Sequence, residues 1–113
     1  MALSLKDLPL AEIMRRAFEA RIVVPAYNIA HIPMLKPIIE TLSALRCFSL
    51  VEVARPDVVQ FGAGSIRAVC EEFRKAGDRG VARLHLAHAP VIDEAGKRFD
   101  WKALIGEALE LGF

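Results

Sequence analysis

The sequence contains no run approaching the ~20 apolar residues that a membrane-spanning helix needs. A membrane is therefore not an expected partner. Its opening, MALSLKDLPL, places Lys6, Asp7 and Pro9 inside ten residues, which breaks the apolar core that a secretory leader requires. Cysteine is scarce. Cys47 and Cys70 show neither CxxC nor Cys/His ligand spacing, and without export features they read as buried thiols rather than a disulfide. These absences predict a reduced, cytoplasmic protein. There is no basic block either: 15 Lys and Arg stand against 14 Asp and Glu, a formal charge of +1 with both signs interspersed. Nothing tracks a phosphate backbone, so nucleic acid is not an expected partner. Low-complexity tracts, linkers and internal repeats are missing too, and 113 residues suit one domain or one piece of one.

What the chain has in excess is apolar character. The hydrophobic fraction is 54 % and the mean hydropathy +0.33, high for so small a soluble domain. A chain this size normally leaves much of its surface wet, so the excess predicts faces meant to be covered by something outside these residues.

Along the chain, helix-like and strand-like patterns alternate. DLPLAEIMRRAFEAR predicts a leading helix, with Asp7 as its cap, Pro9 near the first helical position and Leu10, Ile13, Met14 and Phe18 as the apolar stripe. IVVPA predicts a short strand that Pro25 stops. A helix from about Pro33 then carries Met34, Leu35, Ile38, Ile39, Leu42 and Leu45 at helical spacing, with Pro37 expected to bend its first turns. FSLVEV predicts the second strand, ARPDVVQFGAG a loop, and SIRAVCEEFRKAG a helix capped by Ser65 and ended by Gly77. VARLHL predicts the third strand. A polar excursion, AHAPVIDEAGKRF, follows, and then Asp100 caps a helix from Trp101 to Leu111 with Gly112 after it. Strand and helix in strict alternation imply a parallel sheet with right-handed crossovers. Functional side chains in such folds gather at the carboxyl ends of the strands, which selects Tyr27 and Asn28, Ala54 and Arg55, and Ala87 and His88.

Each of these residues has an ordinary structural reading beside the functional one. His88 could end a strand, and Asn28 could be a turn residue with an unusual backbone angle. His85, inside a strand, reads as a satisfied core histidine. Glu52 also lies in a strand and needs either a partner, for which Arg55 is a candidate, or a wet face. Residues three apart in a strand face opposite sides, so His85 and His88 are not expected to join His31 in a local metal site. The glycines at 62 and 64 before Ser65 read as a turn, and the charges from Asp93 to Arg98 as an exposed one.

Three stretches in order, VPAYN at Val24 to Asn28, LVEVA at Leu50 to Ala54 and HLAH at His85 to His88, resemble successive signatures of the class II, zinc-dependent ketose-bisphosphate (fructose-bisphosphate) aldolases. The family forms are a VPAFN-like strand end, a strand ending in serine, and HLDH. The closing EALELGF resembles the helix that leads into that family's fourth strand. The resemblance spans nearly the whole chain but only the first three of the eight strand–helix units of a TIM barrel. It implies an α/β fold with a leading helix, residues 1–113 forming a single partial domain from the amino-terminal part of an aldolase-type barrel.

In chemistry, the resemblance implies a lyase of carbohydrate metabolism and glycolysis that reversibly cleaves a sugar bisphosphate, with zinc polarising the ketose carbonyl as a Lewis acid. His88 matches the first zinc ligand. Asn28 matches a substrate-binding asparagine, whose amide could bond a hydroxyl or the enediolate oxygen. The departures are specific. Ala87 stands where the family has the aspartate general acid/base, a role that contributes ~10²–10⁴ in rate, and Ala54 stands where it has a substrate-binding serine. The excursion from Ala89 to Phe99 is longer than the family's usual connection. The other two zinc histidines belong to later strands. The chain alone is therefore expected to have no catalytic residue, no stoichiometric zinc and no aldol cleavage. It is also expected to self-associate or to pair with a complementing barrel fragment. Two other functions fit the same residues: a non-catalytic partner subunit, and a small independent α/β binding domain.

Overall fold

Three strands, β1 (Ala26–Asn28), β2 (Ser49–Val53) and β3 (Ala82–Leu86), lie parallel in that order in the computed structural model, which describes residues 4–113. Neighbouring parallel strands need long crossovers, and each is helical. The helices are α1 (Leu10–Glu19), α2 (Leu35–Leu45), α3 (Arg55–Val59), α4 (Ile66–Ala76) and α5 (Trp101–Leu111), with short 3-10 turns at Leu5–Asp7 and Ile32–Met34. The order places α2 and α4 on one face by the right-handed crossover rule, and α4 packs against both α2 and α5.

The burial pattern shows which face that is. On β2, Ser49, Val51 and Val53 are buried while Leu50 and Glu52 are only half-buried. The buried set packs with Leu35, Ile39 and Leu42 of α2, with Ile66, Val69, Cys70 and Phe73 of α4, and with Ala108 and Leu111 of α5. These helix positions recur at three- and four-residue intervals, so each helix turns one stripe to the sheet. At the amino end of β3, Arg83 is only 5 % exposed. It donates to the carbonyls of Leu5 (2.6 Å), Leu8 (3.0 Å) and Arg79 (3.0 Å), tying the leading turn to the sheet. Burial, with Arg79 adding like charge, pushes its guanidinium below the usual arginine value.

Several expectations change. Ile22 to Pro25 do not form a strand; Pro25 precedes β1 instead of stopping it. Its carbonyl joins the ladder, accepting from Leu50 N at 2.9 Å, but it has no N–H to give, and Val23 before it is 87 % exposed. Asp7 lies in the first 3-10 turn and does not cap α1, whose N-cap is Pro9. On the exposed side of α1, Arg15 and then Arg16 bind Glu12 and hold its carboxyl down at about 2. Pro37 falls in the first turn of α2, where no intrahelical N–H is lost.

The stretch expected as a loop contains α3, started by Pro56 in its first turn and by the Asp57 carboxylate reaching back to Ala54 N. Ser65 and Asp100 cap α4 and α5 as the sequence implies, accepting from Ala68 N at 2.9 Å and Ala103 N at 3.0 Å. Both cysteines are free, but only Cys70 is buried; Cys47, just beyond α2, is exposed. No helix of the described residues is long and apolar enough to cross a membrane.

Gly112 ends α5 with a left-handed φ of 90°. Gly77 ends α4 differently, in extended backbone, and is needed because a Cβ there would stand 2.2 Å from Phe73 O. Gly106 has neither reason, since a Cβ would meet nothing within 4 Å. Gly106→Ala should therefore stabilise the protein by about 0.5–1 kcal/mol through helix propensity. Gly77→Ala should destabilise it by about 1–3 kcal/mol through overpacking. Denaturant midpoints at one fixed protein concentration test both, and shifts of the same sign would contradict the contrast.

Candidate functional site

Because all three strands run the same way, their carboxyl ends open on one side, and Asn28, Ala54 and Ala87 gather there, whereas Tyr27, paired with Val51, turns to the helical face. Asn28 ends β1. Ala54 follows β2 and is the N-cap of α3. Ala87 follows β3, buried, and its N–H continues the ladder to Val53 O at 3.0 Å. With Val53 beside Leu86 in the register, Ala54 and Ala87 occupy the next step on neighbouring chains. Two methyl groups thus stand side by side where the aldolase resemblance would call for a serine and an aspartate. Neither can donate, accept or carry a proton.

His88 comes next, exposed, with φ of 64°. Left-handed backbone is uncommon for a residue other than glycine, though histidine is among those that adopt it. The turn breaks the strand's alternation at this point. Asn28, by contrast, is an ordinary strand residue with no positive φ, which removes its turn reading. Its Nδ2 donates to Asp57 Oδ2 at 2.9 Å, and the same oxygen accepts from Ala54 N at 2.7 Å. One buried carboxylate therefore links the ends of β1 and β2.

One step back from the open end, Asn28, Glu52 and His85 are register partners across all three strands. Register partners point to the same face, here the one without helices. The core reading of His85 is overturned: its side chain is 46 % exposed, with Nε2 lying 3.8 Å from Glu52 Oε2. Glu52 accordingly has His85 as its partner rather than Arg55. Arg55 pairs with Glu94 at 3.1 Å and lies over the Phe99 ring at 4.4 Å, fastening the long excursion to the start of α3. Within that excursion, Ile92 and Arg98 form an antiparallel bridge around a turn in which Asp93 Oδ1 accepts from Ala95 N and Lys97 N. His31, the N-cap of the Ile32–Met34 turn, forms an isolated bridge with Gly62, which ties the segment after β1 to the turn before the capping Ser65.

Asp57 and the Glu52–His85 pair went unselected at the level of sequence. A signal for Asp57 exists: an acidic residue three positions after the residue that follows the strand, with proline between, is the spacing of a helix start. For His85 the signal is its period-two relation to Ala87, which puts both on one face.

Catalytic zinc takes three protein ligands and an open position. Among the described residues no three His, Cys, Asp or Glu side chains converge to hold a metal ion, and His88 is the one imidazole that the aldolase resemblance matches to zinc. The described residues by themselves do not supply a three-ligand zinc set. No protein-family model, curated protein or solved structure matches the chain.

Purified protein dialysed against zinc and then against metal-free buffer should retain well under one zinc per chain. One tightly held zinc, lost in His88→Ala, would contradict this.

Proposed function

We propose that these residues are the first three strand–helix units, with their leading helix, of a class II ketose-bisphosphate aldolase-type (β/α)8 barrel, and that this version is catalytically silent. The carrying observation is one of placement: Asn28, Ala54 and Ala87 end neighbouring parallel strands in the order of the three motifs and on one side of the sheet. Arg83 and the leading turn occupy the amino end of the sheet, leaving the carboxyl end open. In this reading Asn28 binds a sugar-bisphosphate substrate and His88 is one metal ligand of a site that later strands would complete with zinc.

The silence follows from chemistry at Ala87. Aldol cleavage requires a proton to leave the hydroxyl next to the breaking bond. A methyl group offers no lone pair to take it, and the missing general base corresponds to roughly 3–5 kcal/mol of barrier. The half-exposed His85 does not replace it, because its ring lies one pleat below this position and faces Glu52.

A second reading, the non-catalytic partner subunit, is favoured by an apolar groove of about 900 Å³ beside β1, lined in part by Ile22, Val24, Tyr27, Ile38 and Leu45. Both readings leave the sheet to be completed by another segment.

Fusing this chain to strands four to eight of a class II aldolase tests the proposal. The fusion carrying Ala87→Asp should cleave a ketose bisphosphate in a zinc-dependent way, ~10²–10⁴-fold faster than the fusion with Ala87. A folded fusion in which both versions are equally silent, or clear turnover by the unmodified chain alone, would contradict it.

A further inference from the structure

Asp57 is the buried carboxylate to which neither the motif resemblance nor the charge pattern gives a role. It is 6 % exposed, and its Oδ2 accepts two N–H groups, from Ala54 N at 2.7 Å and from Asn28 Nδ2 at 2.9 Å. The first bond is an ordinary helix start, with a carboxylate in the first turn reaching back to the N-cap backbone. The second does nothing for α3. It crosses from the helix after β2 to the end of β1, joining residues 29 apart in sequence.

That bond also settles how the Asn28 amide is turned. An ionised carboxylate only accepts, so the nitrogen of the amide faces Asp57 and the oxygen is directed away from it. Among the described residues no donor reaches Asn28 Oδ1, and the residue is exposed. What Asn28 offers at the open end is thus a carbonyl oxygen and the second N–H of its amide, both held in one orientation with a negative charge behind them. The oxygen accepts from a hydroxyl, and the charge of Asp57 weakens the attraction of the remaining N–H for an oxyanion.

We propose that Asp57 is a positioning residue for ligand recognition at the carboxyl ends of the strands: it fixes the amide of Asn28 so that Oδ1 receives a hydroxyl donor of a sugar-like ligand, not a developing oxyanion. The ligand class rests on the aldolase reading; the positioning of the amide does not. Of the two atoms that an asparagine here could use toward an enediolate or a hydroxyl, this arrangement turns the oxygen away from Asp57 and commits one of the nitrogen's two protons to it.

Asn28 is the sole asparagine of the chain, so isotopic labelling of asparagine nitrogen alone yields a single side-chain NH₂ pair in the magnetic-resonance spectrum. In the unsubstituted protein the two protons should be well separated, and one should exchange with solvent about tenfold or more slowly than in free asparagine, as a hydrogen bond to a charged group implies. Asp57→Ala should collapse both the separation and the protection. Asp57→Asn, whose own NH₂ adds a second pair to the spectrum, should keep most of them in the Asn28 pair, since a carbonyl oxygen can stand where Oδ2 stands. A freely exchanging pair in the unsubstituted protein overturns the proposal whether or not the alanine variant folds. So does a folded Asp57→Ala protein with the Asn28 signals unmoved, the result expected if Asp57 merely starts α3. An inactive aldolase fusion would refute the sugar-bisphosphate reading and leave these signals as they are; altered signals with an active fusion would do the reverse.

Discussion

The parallel pairing of β2 with a neighbour on each side is the interaction on which the rest of the structure depends. Its ladder reaches beyond the strands themselves: Leu50 N bonds Pro25 O, Ile29 N bonds Glu52 O, Ser49 N bonds Val81 O and Ala87 N bonds Val53 O, all between 2.8 and 3.0 Å. Parallel direction requires helical crossovers, and the crossovers put α2 and α4 on the face where Ser49, Val51 and Val53 are buried. The same direction brings Asn28, Ala54 and Ala87 to one end. Asp57 can reach Asn28 only because α3 starts where β2 stops, beside the end of β1. Fold and candidate site are two consequences of one pairing.

Those parts of the fold whose cause is local were readable in the chain. Ser65, Asp100 and Gly112 act through bonds to residues within a few positions, and the apolar spacing of α2, α4 and α5 reports one buried stripe each. The apolar run Ile22 to Val24 misled because β-branched residues suggest a strand, whereas the ladder begins at the Pro25 carbonyl and the strand only at Ala26, the first residue past a proline that has no N–H to give. ARPDVVQ reads as a loop for the converse reason: five residues are too few to show a helical period, and the cap that starts them belongs to the carboxylate at the third position. Gly77 showed its presence but not its purpose, since its requirement is set by the approach of Phe73 O and not by a positive φ.

The positions of Asn28, Ala87 and His88 at the carboxyl ends of the strands followed from the strand pattern, while their environments did not. Glu52 and His85 become partners only through the register of β2 with β3, and no local pattern fixes a register. The contact between Arg55, Glu94 and Phe99 likewise spans some forty positions of chain and depends on how the excursion folds back. Long-range polar contacts of this kind are what a sequence without its fold conceals.

The same sheet also leaves surface uncovered. Among the described residues the outer edges of β1 and β3 have no strand beside them, the face carrying Glu52 and His85 has no helical layer, and Phe18, Val23 and Leu45 are among the large apolar side chains left exposed. The radius of gyration, 14.8 Å, exceeds the about 13 Å of a closed domain of this length. At ~25 cal/mol per Å², a few hundred Å² of apolar surface left wet costs on the order of 10 kcal/mol, comparable with a domain's net stability. The account therefore turns on whether three units are an open part of a larger sheet. Analytical sedimentation at micromolar concentration, with an apolar dye present, tests this most directly. The account predicts species heavier than the 12.5 kDa chain and dye bound to its uncovered face. A dye-free 12.5 kDa monomer that unfolds cooperatively would show that the three units close on themselves, and would contradict it.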